Sequence, residues 1–241
     1  MVENMRLSAH RGAHTVAPEN TIEAYQQAID LGYGAIEIDP RFSSDGEIFL
    51  MHDDTVDRTT NGTGKLSSLT AAQIKALEID ITDYPEYKGK TLRVPTLDEA
   101  IKVIASGDII LNIDGSKVNW SNATFTKKVV DILKKYGVYE KTYFVISDVA
   151  QRKAFNTAYP EAVLSWLHTD ANTINTAITT ARTYQKAILS IPANIATDAV
   201  LTILRNTSIY FQVYEVNTKS DLERLLAKRV PMVETDSLYP L

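Results

Sequence analysis

The chain has 241 residues, 44% of them hydrophobic and 23% charged, the composition of an ordinary globular protein with one large domain or two small ones. A net charge of −5, a pI near 5.4 and no basic block argue against nucleic acid or an anionic membrane surface as a partner. With no cysteine, disulfides, thiolate metal sites and cysteine nucleophiles are excluded.

In chain order, Leu7-Ser8-Ala9 reads as a short buried strand ending at His10-Arg11-Gly12. A polar loop through Pro18-Glu19-Asn20-Thr21 opens a helix, with Ile22, Tyr25 and Ile29 on one face and Gly32 as its stop. Ala35 to Asp39 is a second strand, and strand alternation puts Glu37 and Asp39 on the same side. Ser44-Asp45-Gly46 is a hairpin signal leading into the apolar run Ile48 to Met51, which delivers His52 and Asp53. Residues 54–94 are polar and rich in Thr, Gly and Asp, with one short helical pattern at Thr70 to Leu77. That stretch is too long for a barrel loop and is expected to form a small insertion over one end of the domain.

From Pro95 strands and helices alternate. Thr96-Leu97-Asp98-Glu99 is a capping box that opens a helix to about Ser106. The strand Ile109 to Asp114 precedes a helix marked by Phe125, Val129, Ile132, Leu133 and Tyr136. Strands follow at Thr142 to Ile146, Ala162 to Trp166, Ala187 to Ile191, Tyr210 to Val216 and Met232 to Thr235. The helices between them open at Ser147 or Asp148, run over about 172–184 and 197–206, and cap at Thr218. Eight strands alternating with helices indicate an α/β protein, a (β/α)8 TIM barrel with a small insertion after the second strand, in a single domain over residues 1–241.

In such barrels the site lies at the C-terminal ends of the strands. Those ends carry His10 and Arg11, Glu37 and Asp39, then His52, Asp114, Glu234 and Asp236. Paired carboxylates repel and are costly to desolvate, so Glu37, Asp39 and Asp114 are candidate ligands of one hard divalent cation, Mg²⁺ or Ca²⁺. Imidazole titrates near neutrality, which makes His10 and His52 the candidate general acid and base. Arg11 is a candidate phosphate ligand. Arginine, a metal and two histidines together suit a small anionic phosphodiester substrate. Of the remaining residues, Glu19 is a candidate partner of a catalytic histidine, and Arg58 a structural hydrogen-bonding hub. His14 is expected to be solvated, Trp166 to lie in the core or form a binding platform, and Asp236 to order the rim.

These motifs resemble the glycerophosphodiester phosphodiesterases. The resemblance runs through His10-Arg11-Gly12, Pro18-Glu19-Asn20-Thr21, Glu37-Ile38-Asp39, Asp45-Gly46, His52-Asp53, Arg58-Thr59-Thr60-Asn61-Gly62, Val94-Pro95-Thr96-Leu97 and Thr235-Asp236, essentially the whole chain. It implies a barrel with a subdomain inserted at residues 54–94, two histidines as acid and base, and a Mg²⁺ or Ca²⁺ site on Glu37 and Asp39. Where the family has I-E-x-K, this chain has Ile113-Asp114-Gly115-Ser116-Lys117, an acid one methylene shorter and a lysine one position later. The resemblance implies Lys117 as a phosphate contact. It also places Tyr214, where the family usually has tryptophan, beside the alcohol part of the substrate. The expected reaction is metal-dependent hydrolysis of a glycerophosphodiester to sn-glycerol 3-phosphate and an alcohol. The alternatives are the same site acting on a lysolipid, in the manner of a lysophospholipase D, and a non-catalytic binding barrel. No apolar run approaches the ~20 residues that span a bilayer, so no stable membrane insertion is expected. The opening stretch MVENMRLSAH does not read as a signal peptide, which favours the cytoplasm. The oligomeric state, a homo-oligomer included, is left open.

Overall fold

The computed structural model describes residues 5–240; the reading of the first ten residues as lacking a leader rests partly on positions 1–4, outside the described residues. In chain order the elements are β1 (Arg6–Ala9), α1 (Ile22–Asp30), β2 (Ala35–Ile38), β3 (Pro40–Phe42), β4 (Ile48–Leu50), α2 (Ala71–Ala76), α3 (Leu97–Ile104), β5 (Ile110–Asp114), α4 (Ala123–Lys135), β6 (Thr142–Val145), α5 (Val149–Ala158), β7 (Val163–Leu167), α6 (Ile174–Ala181), β8 (Ala187–Pro192), α7 (Asp198–Arg205), β9 (Tyr210–Tyr214), α8 (Lys219–Ala227) and β10 (Met232–Thr235). All but β3 and β4 close into one parallel barrel, in the order β1-β10-β9-β8-β7-β6-β5-β2. The (β/α)8 barrel read from the alternation is therefore the fold.

Parallel barrel strands are covered on both faces, so their sequences read as nearly continuous apolar runs, as in Ala35-Ile36 and Ile110-Leu111. The helices begin where side chains can accept the otherwise unpaired N–H groups of the first turn. Thr21, Thr96, Asn122, Asp148, Thr197 and Thr218 each accept from the backbone N–H three residues on. Thr96 and Glu99 form the complete capping box. The layer between strands and helices is packed with Leu97, Ile101, Phe125, Leu133, Phe155 and Leu201 among others.

Towards its mouth the barrel interior turns polar. Ser8, Glu37, Asn112, Ser165, Ser190, Gln212 and Glu234 are all buried. Ser8 Oγ has no hydrogen-bond partner, but others are linked: Tyr143 donates to Gln212 at 2.6 Å, Gln212 donates to Ser190 at 3.0 Å, and the Ser165 and Ser190 hydroxyls lie 2.8 Å apart. Buried polar groups require such partners, so this layer orders the floor of the mouth.

The chain leaves the barrel earlier than the sequence suggested. Immediately after β2 it enters an antiparallel pair, β3 with β4, whose turn at Ser44-Asp45-Gly46 has the left-handed Gly46 that such turns favour. The Ile48 run is thus the return arm of a hairpin outside the barrel. Phe49, Met51, Val56, Leu66, Ile74 and Leu92 pack as a second apolar cluster, which also takes in Ala17 and Ala24. Two further differences have local causes. The strand expected to reach Val216 stops at Tyr214, because Glu215 adopts φ 61° and leaves the extended region. The helix expected from 172 starts at Ile174, because Ala171–Thr173 form a tighter 3-10 turn capped by Asp170.

The turn that leaves β1 is closely packed against α1. Gly12 has φ 79°, and a Cβ there would sit 2.8 Å from the backbone carbon of Ala24. Gly12→Ala is expected to cost about 3 kcal/mol in urea unfolding, from strain plus overpacking. A loss below about 0.5 kcal/mol, the range of a neutral surface change, would mean that the β1–α1 packing is slack.

Candidate active site

Strand register assembles the mouth. Ala9 pairs with Thr235 on one side and with Ile36 on the other, so the next residues on the three strands, His10, Asp236 and Glu37, meet side by side at the rim. His10 Nδ1 lies 2.6 Å from Asp236 Oδ1 and its Nε2 is 3.9 Å from Glu37 Oε2. Asn217 in turn donates to Asp236 at 2.7 Å. Burial would lower the His10 pKa, but the Asp236 hydrogen bond and the charges of Glu37 and Glu234 outweigh it and hold His10 up at about 10. The same bond to His10 keeps Asp236 well below the usual carboxylate range.

The second histidine arrives by the hairpin. Met51 N–H donates to the Asp39 carbonyl at 2.9 Å, which brings His52 to the rim beside the end of β2. Arg41 clamps this turn, donating to the Met51 carbonyl at 3.2 Å, to the His52 carbonyl, and to Asp54 at 2.6 Å. His52 Nδ1 is 2.7 Å from Asp53 Oδ1. Each histidine thus has its Nδ1 committed to a carboxylate, a bond that fixes the ring and leaves Nε2 as the nitrogen available for proton transfer.

Glu37 and Asp39 are each 2% exposed, and with Asp114 they offer oxygens that all lie within 4.8 Å of one another. Glu37 Oε2 accepts from Arg11 N–H at 2.9 Å, which the left-handed Arg11 (φ 57°) turns inward. Asp39 Oδ2 accepts from Asn20 at 2.9 Å, and Asn20 is itself fixed by the Tyr25 hydroxyl at 2.8 Å. Glu37 Oε1 is buried with no hydrogen-bond partner. Burial and the neighbouring Asp39 charge push the Glu37 pKa well up. A buried unpaired carboxylate oxygen facing two further carboxylates is what a hard divalent cation would satisfy, so these residues fit one. Asp114 is shorter than glutamate but reaches the cluster from the end of β5.

The displaced lysine also reaches the site. Gly115, in the turn that leads to the lysine, packs against the Trp120 indole, where a Cβ would lie 2.2 Å from Nε1. Lys117 Nζ lies 3.4 Å from both Asp39 Oδ1 and the His52 carbonyl. A cavity of about 240 Å³ is lined by His10, Arg11, Glu37, His52, Asp114, Lys117 and Tyr214, and Asp39 lies beside Glu37 and Asp114, with carboxylate oxygens within 4.8 Å of one another. All eight residues singled out in the sequence are thereby brought to one place.

Several others go elsewhere. Glu19 bonds no histidine; it accepts from Arg58 at 2.8 and 2.9 Å and from Arg11 at 3.2 Å. Arg58 also donates to Asp53 at 2.6 Å, so a continuous chain runs His52–Asp53–Arg58–Glu19–Arg11. His14 is half-buried, not solvated, and its Nδ1 is 2.8 Å from the His10 carbonyl. Trp166 stacks under Arg152, 4.3 Å from the ring centre, outside the cavity. Asp236, Asp53 and Arg41 escaped the sequence reading as supports of the histidines. Only Asp53, adjacent to His52, carried a signal for it.

The fold and this mouth define a (β/α)8-barrel protein with an acidic, histidine-bearing rim. The sequence profile of the Glycerophosphoryl diester phosphodiesterase family matches residues 10–238, and the chain belongs to that family. It is 36% identical over 133 residues to a glycerophosphodiester phosphodiesterase of Caldanaerobacter subterraneus, covering 55% of this chain and 54% of that one. It is 34% identical over 176 residues to glycerophosphodiester phosphodiesterase 1 of Bos taurus, covering 70% of this chain and 47% of that one. The chain thus spans about half the length of these curated relatives. The fold is shared with an Oleispira antarctica phosphodiesterase solved with the product sn-glycerol-3-phosphate, at TM-score 0.81 and 23% identity over 96% of this chain and 92% of that one. No helix among the described residues is long and apolar enough to cross a membrane.

Arg58 holds the Asp53 pKa well down, opposed by partial burial and assisted by His52. A depressed folded-state pKa contributes stability that is present above the unfolded value of about 4 and is lost as pH falls toward the folded value. Arg58→Ala is therefore expected to raise the Asp53 pKa in an NMR titration and to move acid unfolding to higher pH. An Asp53 titration unmoved by the substitution would remove Arg58 as its anchor.

Proposed function

We propose that this chain hydrolyses a glycerophosphodiester to sn-glycerol 3-phosphate and an alcohol, with His10 and His52 as proton-transfer groups beside one divalent cation. The observation that carries the reading is the pair of carboxylate-anchored histidines facing a buried three-carboxylate cluster across one small cavity. Glu37, Asp39 and Asp114 would hold the cation, Mg²⁺ or Ca²⁺. When bound, it supplies charge neutralisation at a phosphoryl oxygen.

The chain's own groups do the rest. Arg11 and Lys117 are the cavity's non-histidine cations and receive the phosphodiester anion. His10, surrounded by Asp236, Glu37 and Glu234, favours imidazolium and gives its Nε2 proton to the leaving alkoxide. His52, its ring fixed by Asp53, takes at Nε2 the proton of the attacking hydroxyl, from water or the adjacent glycerol carbon; in the second case the cyclic phosphate formed is then opened by water, with the two histidines exchanging roles. The phosphorus–oxygen bond to the alcohol breaks as the new one forms. The same reading takes the chain as a single phosphodiesterase domain, with residues 54–94 as a subdomain inserted beside the site. A volume of about 240 Å³ favours a compact diester over a lysolipid, since Leu167 is the one exposed large apolar residue lining it.

The test is release of glycerol 3-phosphate from purified glycerophosphodiesters. His10→Ala and His52→Ala are each expected to lower kcat by about 10²- to 10⁴-fold with the circular dichroism spectrum unchanged. Asp236→Asn, which keeps the shape but not the charge, should lower kcat and shift the alkaline limb of the pH–rate profile to lower pH, because His10 loses the partner that keeps it protonated. Near-normal kcat in either alanine variant would remove that histidine from the reaction.

A further inference from the structure

The loop that leaves β1 carries a third histidine, which the proposed proton transfers do not use. His14 Nδ1 lies 2.8 Å from the His10 carbonyl oxygen. A carbonyl only accepts, so Nδ1 carries the proton and donates it. The ring then turns its other nitrogen, Nε2, to within 3.6 Å of Asp236 Oδ1. That is the same oxygen that His10 Nδ1 meets at 2.6 Å. The His10 and His14 ring centres are 6.1 Å apart, with the ring planes inclined at 63°. His14 thus holds the backbone of His10 and flanks the side chain that His10 depends on.

Near neutral pH the His14 ring is uncharged. Burial lowers its pKa, helped by the His10 charge and opposed by the bond to the His10 carbonyl and by the charges of Asp236 and Glu19. An uncharged Nε2 presents a lone pair to Asp236 Oδ1 and offers it no bond, so that oxygen stays with His10.

The loop is held from two directions. From the insertion, the Tyr84 hydroxyl donates to the His14 carbonyl at 2.8 Å. From the C-terminal tail, the Tyr239 hydroxyl lies 2.8 Å from Thr15 Oγ1, and the Tyr33 hydroxyl fixes the tail by donating to the Leu238 carbonyl at 2.5 Å. The His14 N–H donates to the Gly12 carbonyl at 2.9 Å. Bonds on both sides of position 14 restrict where its ring can go.

Building on the phosphodiesterase reading above, we infer that His14 is a positioning residue: anchored by Tyr84 of the insertion, it fixes the His10 backbone and keeps Asp236 Oδ1 on His10. It moves no proton itself. His14 does not line the cavity, so its loss falls on turnover and not on substrate binding.

The experiment measures kcat and KM for glycerol 3-phosphate release in His14→Ala, His14→Asn and Tyr84→Phe, each alone and combined with Asp236→Asn. His14→Ala should lower kcat about tenfold with KM within about twofold of wild type. Asparagine presents an amide N–H where the imidazole Nδ1 stood, so His14→Asn should recover most of that loss. Tyr84→Phe keeps its packing but frees the loop, and should lower kcat about threefold. With Asp236→Asn already present, each further loss should shrink to within about twofold, since the bond that His14 protects is gone. Normal kcat in His14→Ala, an asparagine variant as impaired as alanine, or losses that multiply in full with that of Asp236→Asn would each overturn the positioning role and leave the phosphodiesterase reading intact. If His14→Ala does not fold, a normal kcat in Tyr84→Phe overturns it instead. No release by folded wild-type protein would overturn both.

Discussion

Two carboxylates, Glu37 and Asp39, are buried side by side at the open end of one barrel strand, and the rest of the mouth is built around that repulsion. Like charges removed from water destabilise one another unless donors or cations face them. The left-handed turn after β1 directs the Arg11 N–H to Glu37, the Tyr25–Asn20 pair approaches Asp39 from α1, and Lys117 approaches it from the loop after β5. These contacts come from three separate segments, and they still leave Glu37 Oε1 without a partner. The residual imbalance is one that a proton on Glu37 or a cation at the cluster would remove.

The two histidines show how one chemical requirement is met by two unrelated routes. His10 receives Asp236 through the parallel register of β1 and β10, more than two hundred residues apart in sequence. His52 receives Asp53 from the next position in the chain and is held by the Arg41 clamp of a hairpin outside the barrel. The chain of ion pairs from Asp53 through Arg58 and Glu19 to Arg11 ties the hairpin side to the β1 side. Charge-assisted bonds in such a network hold the hairpin side and the β1 side in fixed relation, which the proposed proton transfer would need because small errors of position cost large factors in rate.

The barrel and most of the rim were legible in the sequence. His10, Glu37, Asp39, His52 and Asp114 each end an apolar run, and a strand end in this fold has a known destination. Helix starts were equally legible, since Thr96 and Thr218 announce themselves by local chemistry. What stayed hidden depends on long-range register or on loop path. Nothing near Asp236 says that it will lie opposite His10, and nothing near Glu19 says that it will meet Arg58 and not a histidine. The premature end of β9 was hidden for another reason: Glu215 sits in a pattern that reads as strand, and only the folded backbone reveals its left-handed turn. Lys117 shows the converse: shifted by one position, it reads as a departure, yet its Nζ still lies 3.4 Å from Asp39 Oδ1.

The most direct test of the buried-carboxylate account is thermal unfolding of the chelator-treated protein, titrated with Mg²⁺ or Ca²⁺, beside Glu37→Gln. Mutual repulsion in the cluster requires that the cation raise the wild-type Tm saturably with one ion bound per chain. It also requires that Glu37→Gln match or exceed the wild-type Tm without metal and lose most of the cation response. A wild-type Tm indifferent to both cations, or a glutamine variant that responds as wild type does, would contradict the assignment of Glu37, Asp39 and Asp114 to a cation.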